Sequence, residues 1–219
     1  MFDPFSLTAI AIAVAAREVY RAMNSPSSTS TASPTTTSTP KIERQKHVVF
    51  IGKTNSGKST LANALFNTDF TVGPTHGVTS MVQRRYFGDN YWQAVDTPGI
   101  LDTTDYSCTV LNAVEESKLA VFVTTGQMLR DEHEFLRRVW YKSYGYGVIV
   151  FVNKLDTRNF NHTSREIEIE NELIRNQVRE VSEHIPVISG SASPIRYGQR
   201  WQAEIQELQE EINERISVL

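Results

Sequence analysis

The sequence predicts a three-layer α/β fold: a mainly parallel six-stranded sheet with one antiparallel strand, and helices on both faces. Short apolar runs at 47–51, 119–123 and 147–152 read as buried parallel strands, because a strand covered on both faces has no polar side. Longer segments with apolar residues at helical spacing lie between such runs, and this alternation demands crossovers and therefore a parallel sheet. Met81–Phe87 and Tyr91–Val95 are the exception, since Gly88-Asp89-Asn90 is too short a link for anything but an antiparallel pair.

The elements follow in order. Residues 1–23 hold a stretch without charge from Pro4 to Ala16, made apolar by Phe5, Leu7, Ile10, Ile12 and Val14. It is short for a spanning helix, which needs ~20 apolar residues. Asp3 precedes it where a secretory signal would be basic, and arginine is too scarce for a transit peptide. Three readings stay open: a short membrane anchor, a segment docked on the following domain or a partner, and a frayed extension. Residues 24–40 are rich in Ser, Thr and Pro, with no charge and no large apolar residue, and read as a disordered linker. A flexible chain of that length spans on the order of 20–25 Å. Residues 41–219 are the folded domain.

His47–Ile51 is its first strand, and Gly52-Lys53-Thr54-Asn55-Ser56-Gly57-Lys58-Ser59 follows. This fits the G-x-x-x-x-G-K-[ST] pattern, a turn whose backbone N–H groups cradle phosphates at a helix N-terminus. The helix is Ser59–Phe66, with Leu61, Ala64 and Leu65 on one face. Asn55, Ser56, Gly57, Lys58, Ser59 and Thr60 are the candidate phosphate-binding residues. Lys58 is expected to reach the β- and γ-phosphates and Ser59 to ligate Mg²⁺. Tyr91–Val95 ends in Asp96-Thr97-Pro98-Gly99. Asp96 is placed to hold the Mg²⁺ shell, and Gly99, lacking a Cβ, can bring its N–H close to a γ-phosphate.

Leu119–Val123 is the next strand, and Asp131–Tyr141 a helix with Phe135, Leu136, Val139 and Trp140 on one face. Gly147–Val152 leads into Asn153-Lys154-Leu155-Asp156. Guanine offers N1–H and N2–H₂ side by side, and one carboxylate accepts both. Asp156 is the candidate acceptor, Lys154 can lay its stem over the base, and Asn153 can tie this loop to the phosphate loop. Thr163-Ser164-Arg165-Glu166 has the form of a capping box and opens a helix to about Glu183. Ile185–Ile188 is a short strand, followed by Ser189-Gly190-Ser191-Ala192, where a backbone N–H at Gly190 or Ser191 can meet guanine O6. Two registers fit, Ser189-Gly190 and Ser191-Ala192, and distance from the strand favours the first. Arg200–Val218 closes the chain, with Trp201, Ile205, Leu208, Ile212 and Ile216 as a packing stripe.

These four segments resemble those of a small P-loop GTPase, most closely the TrmE–Era-like class of the translation-factor-related group. Asn55 stands two residues before Gly57 as in that class, Gly77-Val78-Thr79-Ser80 resembles its Gly-Thr-Thr-Arg switch, and Asp96-Thr97-Pro98-Gly99 matches its third motif. The resemblance implies a GTP-to-GDP switch in which Thr79 completes the Mg²⁺ shell, with Thr75 a rival in the same loop. Lys58, Thr79 and Gly99 would then be the catalytic groups. K⁺ beside the phosphates is implied through Asn55, against the alternative that Asn55 only bonds within its loop. Two departures stand out. Ile100 follows Gly99 where Ras-like proteins place a water-orienting Gln, as an apolar residue does in this class, and Ser80 replaces the usual Arg. Ile100 keeps a second reading open, a nucleotide-dependent binding or membrane-assembly module with negligible hydrolysis, including a nucleotide-dependent dimer.

Composition bounds the partners. With 219 residues, 40% hydrophobic, the chain holds one ordinary domain and a tail. Net charge is -3 and pI about 6.0, and no basic run argues for a nucleic-acid or ribosomal surface. Arg84-Arg85 and Arg137-Arg138 are isolated pairs, and His76 reads as a solvated loop residue. The lone Cys108 excludes an internal disulfide and a cysteine-rich zinc site. A cytoplasmic location is expected, peripheral or anchored at a membrane if residues 1–23 bind one. GTP is the expected ligand; the effector is not named by the sequence.

Overall fold

Strand β1 (Gln45–Ile51) takes the centre of the sheet because both its faces are apolar: Val48, Val49, Phe50 and Ile51 are all fully buried. The computed structural model describes residues 45–73, 81–88, 92–100, 106–145, 147–196, 199–200 and 203–218. The apolar segment 1–23, the linker 24–40 and residues 74–80, with Thr75, His76 and Thr79, lie outside the described residues, as do Tyr91 and Trp201. Arg44–Leu219 is set off as one unit and Met1–Glu43 as another.

After β1 come α1 (Lys58–Phe66), the hairpin β2 (Gln83–Phe87) and β3 (Trp92–Asp96), α2 (Ser107–Glu116) and β4 (Ser117–Thr124). Then follow α3 (Arg130–Lys142), β5 (Val148–Val152), α4 (Leu155–Asn161), α5 (Ser164–Arg179) and β6 (Val187–Ser189). A two-residue hairpin, β7 (Ile195–Arg196) and β8 (Gln199–Arg200), precedes α6 (Gln206–Val218). The six-stranded sheet has the order β2-β3-β1-β4-β5-β6. Only β2 runs against its neighbour; β1–β3, β1–β4, β4–β5 and β5–β6 are parallel. The architecture is the three-layer fold the sequence predicts.

Strand alternation divides the core in two. Val49 and Ile51 face a layer with Val110, Val114, Phe135, Leu136, Ile174 and Val178 from α2, α3 and α5. Val48 and Phe50 face the other layer, with Leu61 and Leu65 from α1 and Leu208 and Ile212 from α6. The parallel strands end on one edge of the sheet, and all four sequence segments singled out above begin there. The chain leaves β1 toward β3 and returns on the other side to β4, so the loop after β1 sits at a topological switch point, where such sheets bind ligands.

The C-terminal helix starts at Gln206 rather than Arg200, because the chain first forms the small hairpin and a bridge between Ser191 and Glu204. Helix α5 ends at Arg179, short of Glu183. Helices α2 and α4 are additions to the sequence reading: α4 has no run of apolar residues long enough to show a period, and α2 follows Asp102-Thr103-Thr104-Asp105, residues of N-cap type that the sequence reading leaves unused.

Candidate functional site

The phosphate loop is built around backbone that other residues tolerate poorly. Gly57 has φ of 92°, in the left-handed region, and a Cβ there would strike the Asn153 side-chain amide. Gly57 is also the N-cap of α1, which has no side-chain cap and no acidic residue in its first turn. The first N–H groups of a helix lack internal partners, so this helix start carries donors and partial positive charge with no carboxylate to oppose an anion. Lys58, only 6% exposed, donates from its ammonium to the Gly52 carbonyl at 3.1 Å and the Lys53 carbonyl at 2.9 Å. Those bonds hold the cation over the loop. Ser56 is buried, and its hydroxyl has no hydrogen-bond partner among the described residues. Asn55, with φ of 61°, is exposed at the loop's tip, and Thr60 lies one residue beyond Ser59 on α1.

Asp96 ends β3 directly beside β1, in register with Phe50. It is fully buried, and the Ser59 hydroxyl donates to its Oδ2 at 2.6 Å. Thr97 is equally buried and pins the turn by donating from its hydroxyl to the Phe50 carbonyl at 2.7 Å. Two hard oxygen donors, one hydroxyl and one carboxylate, thus converge where β1, β3 and α1 meet, a donor set suited to Mg²⁺. Gly99 lies against the phosphate loop so closely that a Cβ would collide with the Thr54 hydroxyl and come within 2.7 Å of its backbone nitrogen. Thr79, the expected third ligand, lies outside the described residues.

Ile100 does not face this site. It is 1% exposed, packs in the core layer with Val110 and Leu136, and donates its N–H to the Gly52 carbonyl at 3.2 Å. It forms a parallel bridge with Lys53 that continues the sheet past β1.

At the ends of β5 and β6 a second cluster forms. The Asn153 side-chain amide donates to the Ser56 carbonyl at 2.8 Å, and its Oδ1 accepts the Ala192 N–H at 3.0 Å. One buried side chain thus ties the phosphate loop to both later loops. Lys154 is exposed, with φ of 61°, at the start of α4. Asp156, in the first turn of α4, is fixed twice by one residue. The Ser191 hydroxyl accepts the Asp156 N–H at 2.9 Å and donates to its Oδ1 at 2.8 Å.

This geometry favours the other register of the last loop, Ser191-Ala192. Ser189 is the final residue of β6, paired with Val152, and the Gly190 N–H is used in a bond to the Val152 carbonyl at 3.0 Å. Ser189 and Gly190 belong to the sheet; Ser191 and Ala192 meet Asp156 and Asn153. Counting residues from the strand misleads because β6 runs one residue further than its apolar run.

Glu132 contacts the phosphate loop, a neighbour that sequence reasoning misses. It is 3% exposed, in the first turn of α3, and its carboxylate accepts an ion pair from Lys53 at 2.9 Å. The available signal is its spacing: Glu132 stands three and four residues before Phe135 and Leu136, on the buried stripe.

A phosphate loop at the head of α1, with a hydroxyl and carboxylate poised for a cation, defines a P-loop nucleotide-binding protein. The family model described as "50S ribosome-binding GTPase" matches residues 47–154. The chain is 27% identical over 146 residues to a probable GTP-binding protein EngB of Clostridium beijerinckii, covering 61% of this chain and 73% of that one. It is 30% identical over 179 residues to GTPase Der of Latilactobacillus sakei, covering 76% of this chain and 40% of Der. In fold it is similar to an Era variant of Aquifex aeolicus bound to GDP·AlF4−, with TM-score 0.56 and 24% identity over 77% of this chain and 56% of that one. The chain therefore spans less than half of Der and somewhat over half of that Era chain. These matches make the chain similar to the P-loop GTPases of the TrmE–Era-like class, and they support GTP binding and hydrolysis by its domain.

Proposed function

We propose that this chain is a Mg²⁺-dependent GTP switch whose hydrolysis is slow until a partner engages it. The observation that carries the reading is the Ser59–Asp96 contact of 2.6 Å at the head of an uncapped, acid-free helix. Ser59 and Asp96, with Thr79, would hold the ion, which supplies charge neutralisation at the transferred phosphoryl group. Lys58 binds the β- and γ-phosphates, Gly99 offers its N–H to the γ-phosphate, and Asp156 accepts the guanine N1–H and N2–H₂.

Slow intrinsic turnover is supported by Ile100. A buried isoleucine orients no water, so that role falls to another group or to a partner. The same burial favours the runner-up, a nucleotide-dependent binding module with negligible hydrolysis. K⁺ at the exposed Asn55 is one way to replace the missing positive or orienting group. Turnover of purified protein should be compared in KCl, NaCl and a large organic cation at equal ionic strength, with Asn55→Ala alongside. Faster turnover in KCl, lost in Asn55→Ala, supports the K⁺ site. No turnover with Mg²⁺ under any of these salts, despite tight GTP binding, favours the binding module.

The partner is proposed to be met through residues 1–23, at a membrane or on another protein, from a cytoplasmic location. Among the described residues, Arg84 and Arg85 pair with Glu116 and Asp69 rather than standing as a free basic patch. No described helix is long and apolar enough to cross a membrane.

A further inference from the structure

We propose that Glu132 is a positioning residue for the γ-phosphate end of the site, acting through Lys53. Glu132 occupies a place on α3 where the neighbouring turns present Phe135, Leu136 and Val139 to the core. A carboxylate there is costly to bury and is tolerated only with a close partner. That partner is Lys53, 2.9 Å away, whose ammonium is committed to this carboxylate.

Lys53 is where the loop's own contacts converge. Its carbonyl accepts from the Ser56 N–H at 3.2 Å and from the Lys58 ammonium at 2.9 Å. Its backbone bridges to Ile100, the residue after Gly99. The next residue, Thr54, is the surface on which Gly99 rests, with no room between them for a methyl group. The Glu132 carboxylate therefore anchors the side chain of Lys53, and Lys53 and Thr54 together set the height of Gly99 over the loop. The α- and β-phosphates meet the loop's N–H groups and the start of α1. Only a γ-phosphate needs Gly99, so displacing Lys53 should be felt by GTP more than by GDP. The inference rests on the proposed role of Gly99.

The test compares affinities of the full chain for a non-hydrolysable GTP analogue and for GDP, both with Mg²⁺, together with kcat for GTP. Glu132→Gln keeps shape and removes charge; Lys53→Met removes the cation; Lys53→Arg keeps it. Glu132→Gln and Lys53→Met are each expected to lower analogue affinity and kcat about tenfold while GDP affinity moves by less than about twofold. The double variant should be no worse than the weaker single one, because both break the same link. Lys53→Arg should keep the wild-type ratio of the two affinities. Equal losses for both nucleotides, or no loss, would make the pair a structural contact only and overturn the proposal. If Glu132→Gln does not fold, Lys53→Met compared with Lys53→Arg decides the same question. Gly99→Ala distinguishes failure of the two roles. If it leaves the analogue-to-GDP ratio intact, Gly99 does not sense the γ-phosphate and the inference falls with that reading. If Gly99→Ala shifts the ratio and Glu132→Gln does not, the role of Glu132 alone is wrong.

Discussion

At the residue scale, the proposed guanine selectivity rests on the Asp156 carboxylate and the Ser191 hydroxyl that holds it. Asp156→Asn removes the anionic acceptor, and hydrogen bonds to a charged group contribute about 1.5–3 kcal/mol, so GTP affinity should fall roughly ten- to a hundredfold. Ser191→Ala should weaken GTP binding less, since it frees the carboxylate's orientation without removing its charge. Competition of ATP and GTP for the purified protein checks both, and wild-type protein that binds ATP as well as GTP sinks the assignment. Asn153 ties the phosphate loop to the later loops as its place in the sequence predicts, and the chemistry of guanine is what singles out Asp156. Ser191 is only half legible: its segment is evident, but its register depends on where β6 stops, which the cross-strand bond to Val152 decides. Glu132 is legible as buried from its spacing to Phe135 and Leu136, but its partner Lys53 is not, because the sequence does not show which loop faces that stripe.

One residue also predicts a pH dependence. Burial beside Arg84 lowers the pKa of His47 below its ordinary 6.5, only partly offset by Glu116 and Gln93. The unfolded chain therefore takes up this proton more readily than the folded one. Stability is full above pH 6.5 and falls as the pH drops below it. His47→Gln should flatten that part of a pH–stability curve measured by denaturant unfolding. An unchanged slope between neutral and mildly acid pH would remove His47 as its source.

At the scale of elements, the sequence is most informative where local chemistry decides. The capping box at Thr163 is formed as its spacing predicts: the Thr163 hydroxyl accepts the Glu166 N–H, and the Glu166 carboxylate accepts the Thr163 N–H at 2.7 Å. The Thr163 N–H and then its hydroxyl, both donating to the Glu166 carboxylate, lower the pKa of that carboxyl. Thr163→Ala should cost about 1 kcal/mol. For a domain of this size that is roughly 2–4 °C in Tm, without change in GTP affinity. The start of α6 is less legible, since Arg200 continues a helical period but is taken by a hairpin. Tertiary pairing of Ser191 with Glu204 wins there over local propensity. The central strands are legible because a strand covered on both faces leaves no doubt about its burial.

At the scale of the whole molecule, the alternation of elements is enough to place one antiparallel strand in a six-stranded sheet and all four site loops on one edge. What pattern alone cannot supply is the job of residues 1–40. Arg44–Leu219 forms a unit by itself. Removing residues 1–40 should therefore leave GTP affinity within about twofold and Tm within a few degrees. The apolar run in residues 1–23 is expected to direct the protein to a surface, so the truncated chain should shift from the membrane or particulate fraction to the soluble one. Flotation of both forms with vesicles tests the lipid surface: binding lost on truncation points to a membrane anchor, and no vesicle binding by either form rules the anchor out and leaves a protein partner or a frayed extension. Loss of GTP binding in the truncated chain would mean instead that the segment packs on the domain and completes it.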